Sequence, residues 1–305
     1  MAPHAPAEEN KRVSKVKVGI VQQACSPDRE ANIAKLEKGI REAARRGAKL
    51  VVLQELHNGP YFCQTAEDRF FDWAETIPGP STERFGRLAK ELGIVLVTSL
   101  FEKRGAGLYH NTAVVMEKDG TIAGFYRKSH IPDDPGYYEK FYFTPGDTGF
   151  HPIQTSVGKL GVLICWDQWY PEGARLMALA GADFLIYPTA IGYKPEDPKD
   201  EHIRQVDAWT TIQRSHAIAN CVPVISVNRV GFEPDPGPAR EGMQFWGGSF
   251  VTGSQGEILV HAGDQEEVHV AEIDRAQVDL VRRAWPFFRD RRIDLYGDLT
   301  KRFRD

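Results

Sequence analysis

Short apolar runs rich in β-branched residues alternate with longer segments of helical period along most of the chain. Eleven of these runs have the length and composition of β-strands, at residues 16–23, 49–54, 94–101, 111–118, 121–128, 159–165, 183–188, 223–230, 247–253, 257–263 and 267–273. Eleven strands imply more than one sheet, and no shift in composition divides the chain. The pattern therefore predicts one layered α/β domain over residues 15–305, preceded by a flexible segment at residues 1–14.

Four segments between the strands have the period and the end signals of α-helices, at residues 27–47, 81–93, 171–181 and 201–221. We expect Ser26 to cap the first helix, with Pro27 at its first position, and Gly93 to end the second. Asp119 and Gly120 have the residue types of a two-residue hairpin turn, and residues 251–260 suggest a second hairpin. The Pro/Gly-rich stretch 231–242 is predicted to be a mobile loop, either functional or a tolerated surface insertion.

The charge balance argues against nucleic acids and membrane surfaces as partners. The 305 residues include 38 Lys and Arg and 42 Asp and Glu, a formal net charge of −4, which provides no broad attraction for polyanions. The N-terminal segment has no continuous apolar region, and no run of eighteen apolar residues follows it, so neither secretion nor membrane spanning is indicated. We therefore expect a cytoplasmic protein that acts on a small molecule.

The four cysteines, Cys25, Cys63, Cys165 and Cys221, are scattered and include no C-x-x-C pair. This spacing supports neither a zinc site nor a disulfide framework. The sequence also lacks a complete dinucleotide fingerprint, a P-loop and an H-E-x-x-H motif, so we expect no cofactor and no metal. Taken alone, each cysteine is best explained as a small buried hydrophobic residue.

Three polar residues nevertheless stand at the ends of predicted strands: Glu55, Lys128 and Cys165. The polar, aromatic turn after Cys165 leads into a helix that begins near Pro171. The backbone N–H groups of this turn, together with a nearby ammonium, are expected to lower the pKa of the Cys165 thiol and to stabilise an oxyanion. An acid, an ammonium and a thiol are the components of nucleophilic catalysis by a thiolate. A solvated loop glutamate and a surface lysine are the alternative readings of Glu55 and Lys128.

The words around these residues, LVVLQEL, YRKSHIPD and ICWDQWYPE, resemble the Glu-Lys-Cys triad motifs of the nitrilase (carbon-nitrogen hydrolase) superfamily. The resemblance extends over about residues 15 to 298. Within the superfamily it is closest to the N-carbamoylputrescine amidohydrolases, through the segments at residues 54–64, 126–150, 164–175, 187–192 and 288–297.

The resemblance implies a four-layer α-β-β-α sandwich, in which two mixed sheets pack face to face with helices outside. It implies no cofactor, and a homo-oligomer, from a dimer up to an octamer, to which the C-terminal tail contributes. It also implies that Glu139 is a second glutamate that positions the lysine and the substrate, and that Tyr61 lies in the substrate pocket. Further substrate-binding residues are expected at Trp166, Gln168, Thr189, Ala190 and Lys194.

The implied mechanism hydrolyses a linear carbon–nitrogen bond. Cys165 would attack the carbonyl carbon of a ureido group or an amide, Glu55 would act as the base, and Lys128 with the backbone N–H of Trp166 would stabilise the oxyanion. With N-carbamoylputrescine the products would be putrescine, carbon dioxide and ammonia.

One segment departs from the family. The stretch that recognises the amine commonly reads TAIGSEP, whereas this chain reads TAIGYKP at residues 189–195. Lys194 would repel the far ammonium of a diamine, unless Glu196 or Asp197 replaces the missing carboxylate. N-carbamoyl-β-alanine and a linear ω-amide are therefore kept as alternative substrates. A catalytically idle binding protein and a metal-dependent nuclease of similar layering remain as rival functions.

Overall fold

The computed structural model describes residues 15–237 and 241–304; the segment 1–14, predicted to be flexible, lies outside them. The described residues form fifteen strands: β1 (Lys15–Gln22), β2 (Leu50–Leu53), β3 (Val95–Gly105), β4 (Leu108–Met116), β5 (Ile122–Arg127), β6 (Ile153–Thr155), β7 (Gly158–Val162), β8 (Phe184–Pro188), β9 (Gly192–Tyr193), β10 (Val224–Val227), β11 (Val230–Pro234), β12 (Gly242–Trp246), β13 (Phe250–Thr252), β14 (Ile258–His261) and β15 (Glu267–Asp274). They also form six α-helices: α1 (Arg29–Arg45), α2 (Pro80–Leu92), α3 (Glu139–Tyr142), α4 (Pro171–Leu179), α5 (Lys199–Asn220) and α6 (Arg275–Ala284).

Two six-stranded sheets carry the fold, with strand orders β15-β1-β2-β3-β4-β5 and β14-β13-β10-β8-β7-β6. Each sheet is mixed. β1, β2 and β3 are parallel in the first sheet, β7, β8 and β10 are parallel in the second, and the outer strands pair antiparallel. A third sheet is small, with the order β11-β12-β9.

The two large sheets pack face to face over a shared apolar core. Val18 and Val52 of the first sheet belong to the same buried cluster as Val162 and Ile186 of the second. The opposite face of the first sheet is covered by α1 and α2, through residues such as Leu36. α4 and α5 cover the outer face of the second sheet. The predicted α-β-β-α sandwich is confirmed.

All eleven predicted strands are present, with ends that differ by up to four residues. Four short strands were not predicted, namely β6, β9, β11 and β12. Strands of two to five residues are too short for an alternating pattern to stand out. Three of them form the small sheet, which includes residues 231–234 of the predicted mobile loop. That part of the loop prediction is wrong, because β11 pairs with β12 along its whole length.

Two local predictions about turns and caps are also wrong. α1 begins at Arg29 because the Asp28 side chain accepts from the N–H of Ala31, so Ser26 is not the cap. The β4–β5 hairpin has a three-residue turn, since Gly120 N donates to the Glu117 carbonyl and Gly120 itself has a φ of 89°. Gly93 does end α2, with a φ of 60°.

Candidate active site

Glu55 and Lys128 lie at the same edge of the first sheet. β2 ends two residues before Glu55, and β5 ends directly before Lys128. β5 runs in the direction of β2 because two antiparallel pairings, β3 with β4 and β4 with β5, separate it from the parallel pair β2 and β3. The backbone N–H of Glu55 donates to the Thr189 carbonyl at 3.3 Å, just past β8. The site therefore forms where the carboxyl ends of strands from both sheets meet.

Cys165 stands at a sharp turn after β7. The strand ends at Val162, and Cys165 begins a 3₁₀ helix, Cys165–Trp169, that leads into α4 at Pro171. Cys165 has a φ of 42°, a left-handed conformation that is unfavourable for a residue with a Cβ and that is found at functional sites. Its Sγ donates a weak hydrogen bond to the Ala190 carbonyl at 3.8 Å.

A buried ammonium bridges two carboxylates behind the cysteine. Nζ of Lys128 donates to Oε1 of Glu55 at 2.8 Å and to Oε2 of Glu139 at 2.6 Å, and all three side chains are fully buried. Burial alone would lower the pKa of Lys128, but the two carboxylates outweigh it and the pKa lies well above its usual value. Lys128 is therefore a permanent cation, which makes the surface-lysine alternative wrong.

The two carboxylates differ in their environments. Oε1 of Glu139 accepts from the Tyr61 hydroxyl at 2.6 Å, and burial raises the pKa of Glu139 to about 7, with Lys128 opposing the shift. Oε1 of Glu55 also accepts from Nδ2 of Asn111 at 2.7 Å. Within the described part of the chain, the buried Oε2 of Glu55 has no hydrogen-bond partner. One oxygen of Glu55 thus anchors the side chain, and the other is available for proton transfer.

The direction expected for the Cys165 pKa is wrong. Burial raises the pKa of this thiol well above its usual value, Glu55 raises it further, and Lys128 only partly opposes them. The turn after the cysteine therefore does not produce a resting thiolate. A base must remove the proton before the sulfur can act as a nucleophile.

Asp167, which the sequence reasoning did not single out, holds the cysteine turn to the segment after β5. Its Oδ2 accepts from the Ile164 N–H at 3.0 Å and from the Tyr126 hydroxyl at 2.9 Å. Its Oδ1 accepts from the His130 N–H at 3.0 Å and lies 2.7 Å from Nδ1 of the same histidine. The sequence signal that could have revealed Asp167 is its position two residues after the cysteine, in a turn that follows a buried strand.

Arg229, which the sequence pattern did not indicate either, holds the backbone after β2 in place. Its fully buried guanidinium donates to the carbonyls of Glu55 at 2.9 Å and Leu56 at 3.0 Å, and to Oε1 of Glu233 at 2.7 Å. Leu56 has a φ of 48°, so this contact stabilises a second left-handed residue beside the site. Glu233 lies in the stretch that was predicted to be a mobile loop.

A cavity of about 530 Å³ opens in front of Cys165. Aromatic side chains form much of its wall, including Trp166, Tyr137 and Tyr193, and charged side chains of Lys194, Asp197 and Asp134 line it as well. Its size and its apolar wall with a few polar groups are typical of a small-molecule site. Trp166 and Lys194 thus lie where the sequence analysis expected substrate contacts.

The other expected substrate-binding residues lie behind the cavity wall. Gln168 and Thr189 are fully buried, and Oγ1 of Thr189 donates to Oε1 of Gln168 at 3.3 Å. Tyr61 is bonded to Glu139, and Ala190 presents its carbonyl to the cysteine. Contact of these four residues with a substrate stays a prediction; Tyr61 and Ala190 contact the catalytic candidates directly.

Within residues 15–237 and 241–304, no group of three or more His, Cys, Asp and Glu side chains is arranged to hold a metal ion. None of the helices in the same residues is both long and apolar enough to cross a membrane.

Comparisons with known proteins agree with this architecture. The carbon-nitrogen hydrolase family matches residues 17–283. The N-carbamoylputrescine amidase of Solanum lycopersicum is 46% identical over 95% of this chain and 95% of its own length. The citrullinase of Francisella tularensis is 39% identical over 95% of this chain and 100% of its own.

Among solved structures, the carbon-nitrogen hydrolase from Helicobacter pylori G27 superposes with a TM-score of 0.93 and is 55% identical. The match covers 95% of this chain and 100% of that one. The family match over most of the chain and these full-length relatives show that the chain belongs to the carbon-nitrogen hydrolase family.

Proposed function

We propose that the protein hydrolyses the terminal ureido group of N-carbamoylputrescine to give putrescine, carbon dioxide and ammonia. One observation carries the proposal: a cysteine at a strained turn faces a small-molecule cavity, with a buried Glu-Lys-Glu group directly behind it. Four curated N-carbamoylputrescine amidases are each 46% identical to this chain over at least 93% of its length. These relatives support the choice of substrate.

The first chemical step is an attack by sulfur on the ureido carbon. Because the Cys165 thiol is neutral at rest, Glu55 takes its proton through the free oxygen, Oε2. The thiolate then adds to the carbonyl carbon, and the carbonyl oxygen becomes an oxyanion. The ammonium of Lys128 and the backbone N–H of Trp166 stabilise that charge, which develops only in the transition state.

Collapse of this intermediate releases ammonia. Glu55 returns the proton to the leaving NH₂ group, and the rest of the substrate remains on Cys165 as a thiocarbamate. Water then loses a proton to Glu55 and adds to the same carbon, and the carbon–sulfur bond breaks as Glu55 returns that proton to the Cys165 sulfur. The product is the carbamic acid of putrescine, which loses carbon dioxide to leave the free amine.

Lys128 and Glu139 are placed to keep this chemistry aligned. The two carboxylates neutralise the buried ammonium, which is costly in an apolar interior without partners. Glu139, in turn, is fixed by the Tyr61 hydroxyl. We assign Glu139 and Tyr61 to positioning, because both oxygens of Glu139 are occupied, one by the Tyr61 hydroxyl and one by Lys128, whereas Glu55 keeps a free oxygen for proton transfer.

Carboxylates on the cavity wall favour a substrate with a cationic far end. Asp134 and Asp197 both line the cavity, whereas Glu196, the other suggested replacement for the family's glutamate, is exposed and does not. Asp197 thus takes the place of the carboxylate that TAIGYKP lacks. N-carbamoyl-β-alanine and uncharged ω-amides are disfavoured, since they offer these carboxylates no cation.

The proposal is tested by measuring ammonia release from N-carbamoylputrescine, N-carbamoyl-β-alanine and a linear ω-amide. We expect turnover of the first, with Cys165→Ala reducing kcat by at least about a thousandfold because the nucleophile is lost. Cys25→Ala, which removes a cysteine outside the cavity lining, should retain activity. Full activity of Cys165→Ala, or no turnover of any of the three substrates, would refute the proposal.

A cytoplasmic location and assembly into a homo-oligomer remain predictions that accompany this function.

A further inference from the structure

The outer wall of the cavity carries charges of both signs on a single turn. Lys194 and Asp197 both line the cavity, and the N–H of Asp197 donates to the Lys194 carbonyl at 3.0 Å. This bond closes a four-residue turn, which brings the Cα atoms of its first and last residues within about 7 Å. The turn thus places a cation and an anion close together on the cavity wall.

The turn is held in place by the helix that follows it. Nε2 of His202 lies 3.1 Å from the Lys194 carbonyl, and the His202 ring stacks on Tyr193 with centroids 3.7 Å apart. Tyr193 itself pairs with Gln244 in the small sheet. The N-terminal side of the turn is therefore anchored to the small sheet and to α5, which fixes the backbone of Lys194.

The two charges on the turn have no ionic partner in the described part of the chain. Neither Lys194 nor Asp197 forms a salt bridge there. The neighbouring Arg204, by contrast, already has ionic partners, since it is paired with Asp200 at 2.6 Å and with Glu201 at 2.7 Å. An ammonium and a carboxylate that line a cavity without partners are suited to a ligand that carries the opposite pair of charges.

We propose that the site also hydrolyses ω-ureido α-amino acids, with Lys194 binding the α-carboxylate and Asp197 the α-ammonium. The inference rests on the ureido hydrolysis proposed above and adds a second substrate class to it. The chemistry at the reacting carbon is unchanged: water cleaves the terminal ureido group, and the products are the free diamino acid, carbon dioxide and ammonia.

The two substrate classes differ by one group at one carbon. Citrulline is N-carbamoylputrescine with a carboxylate added to the carbon that bears the amine. Lys194 would only repel the far ammonium of N-carbamoylputrescine. In citrulline it would instead form an ion pair with the α-carboxylate. The lysine in a stretch where the family commonly has glutamate reverses the charge that this position presents on the cavity wall.

The experiment compares kcat/KM for citrulline and N-carbamoylputrescine in the wild type and in Lys194→Gln. We expect the wild type to release ammonia from both. Lys194→Gln should lower kcat/KM for citrulline about fivefold, the effect of roughly 1 kcal/mol for one partly exposed ion pair, and should maintain or raise the value for N-carbamoylputrescine. Lys199→Gln is the matched control, because Lys199 is exposed nearby and does not line the cavity.

A second pair of variants tests the carboxylate. Asp197→Asn should lower kcat/KM for both substrates, since both carry the ammonium. Glu196→Gln, on the exposed side of the same turn, should change kcat/KM for neither. Turnover of N-carbamoylputrescine without any turnover of citrulline would overturn the inference and leave the proposed function standing. Equal losses for both substrates in Lys194→Gln would also overturn it. Absence of ammonia release from both would instead refute the proposed function.

Discussion

At the scale of single residues, the charge state of Glu139 controls how firmly Lys128 is held. Two carboxylates face one buried ammonium, and repulsion from Glu55 adds to burial in raising the pKa of Glu139 to about 7. Lys128 stays charged across the same range, because its own pKa is raised. Protonation of Glu139 therefore removes one of the two charges that fix the ammonium next to the reacting carbon.

We predict that kcat/KM increases with pH up to a break near pH 7. Below the break Glu139 is protonated in the folded protein, so activity should fall by about tenfold for each pH unit. Glu139→Gln should lower kcat and also abolish the break, because glutamine does not titrate. A pH profile recorded on both proteins is the measurement, and an unchanged break in Glu139→Gln would contradict the assignment.

The reacting residues could be predicted from the sequence, whereas most of the residues that hold them in place could not. Glu55, Lys128 and Cys165 could be found because each interrupts an apolar run at the end of a strand. Glu139 followed only from the family resemblance, and Asn111, Asp167 and Arg229 were missed, since a polar residue within an apolar stretch does not reveal its partner. The thiol pKa was predicted in the wrong direction because the depth of burial, which dominates it, is a tertiary property.

At the scale of secondary structure elements, the site depends on two strand ends that Asp167 joins. One of its oxygens binds the turn after β7 and the other binds the segment after β5. Asp183 has a comparable role at the opposite end of β7, where it accepts from the Lys159 N–H at 2.8 Å and from Arg275 at 2.9 Å. The two aspartates thus link elements at the two ends of one strand, and only one of these ends carries the site.

Replacing these aspartates should separate stability from catalysis. We predict that Asp167→Ala and Asp183→Ala each lower the free energy of unfolding by about 1–3 kcal/mol, because buried or partly buried donors lose a charged acceptor. Only Asp167→Ala should lower kcat, by tenfold or more, since it releases the turn that carries Cys165. Urea unfolding and ammonia release, measured below the unfolding transition, check both statements. Equal kcat losses in the two variants would contradict a specific role for Asp167.

Secondary structure was predictable wherever the pattern was long. The parallel strands β2 and β8 are continuous apolar runs, as expected for strands covered on both faces. The start of α1 was placed wrongly because Ser26 and Asp28 are both suitable caps, and only the structure shows which one reaches the helix. The small sheet depends on pairings between segments far apart in sequence, which local periodicity does not contain.

At the scale of the whole molecule, the C-terminal tail exposes apolar side chains that a single subunit leaves uncovered. The exposed fraction is 71% for Ile293, 65% for Leu295, 66% for Leu299 and 79% for Phe303. A cluster of exposed apolar residues commonly marks a protein interface. The layered fold was predictable from the resemblance, whereas the partner of this tail was not, because the sequence of one chain does not show contacts between copies.

We predict that the protein sediments as a dimer or a larger homo-oligomer of up to eight subunits. Ile293→Asp combined with Leu295→Asp should shift the mass towards the monomer, because two charges would be buried at the interface. Ile203→Asp is the control, since Ile203 is also 71% exposed but lies on α5, outside the tail. A monomeric wild type, or equal dissociation of the double variant and the control, would contradict the prediction.

The central claim is that Cys165 forms a covalent bond with the ureido carbon during turnover. Mass spectrometry of the protein, quenched by acid during hydrolysis of N-carbamoylputrescine, tests it most directly. We predict an adduct of the substrate less ammonia on the peptide that contains Cys165, and none on the peptides that contain Cys25, Cys63 or Cys221. Turnover at an undiminished rate in Cys165→Ala, or an adduct on another cysteine, would contradict the account.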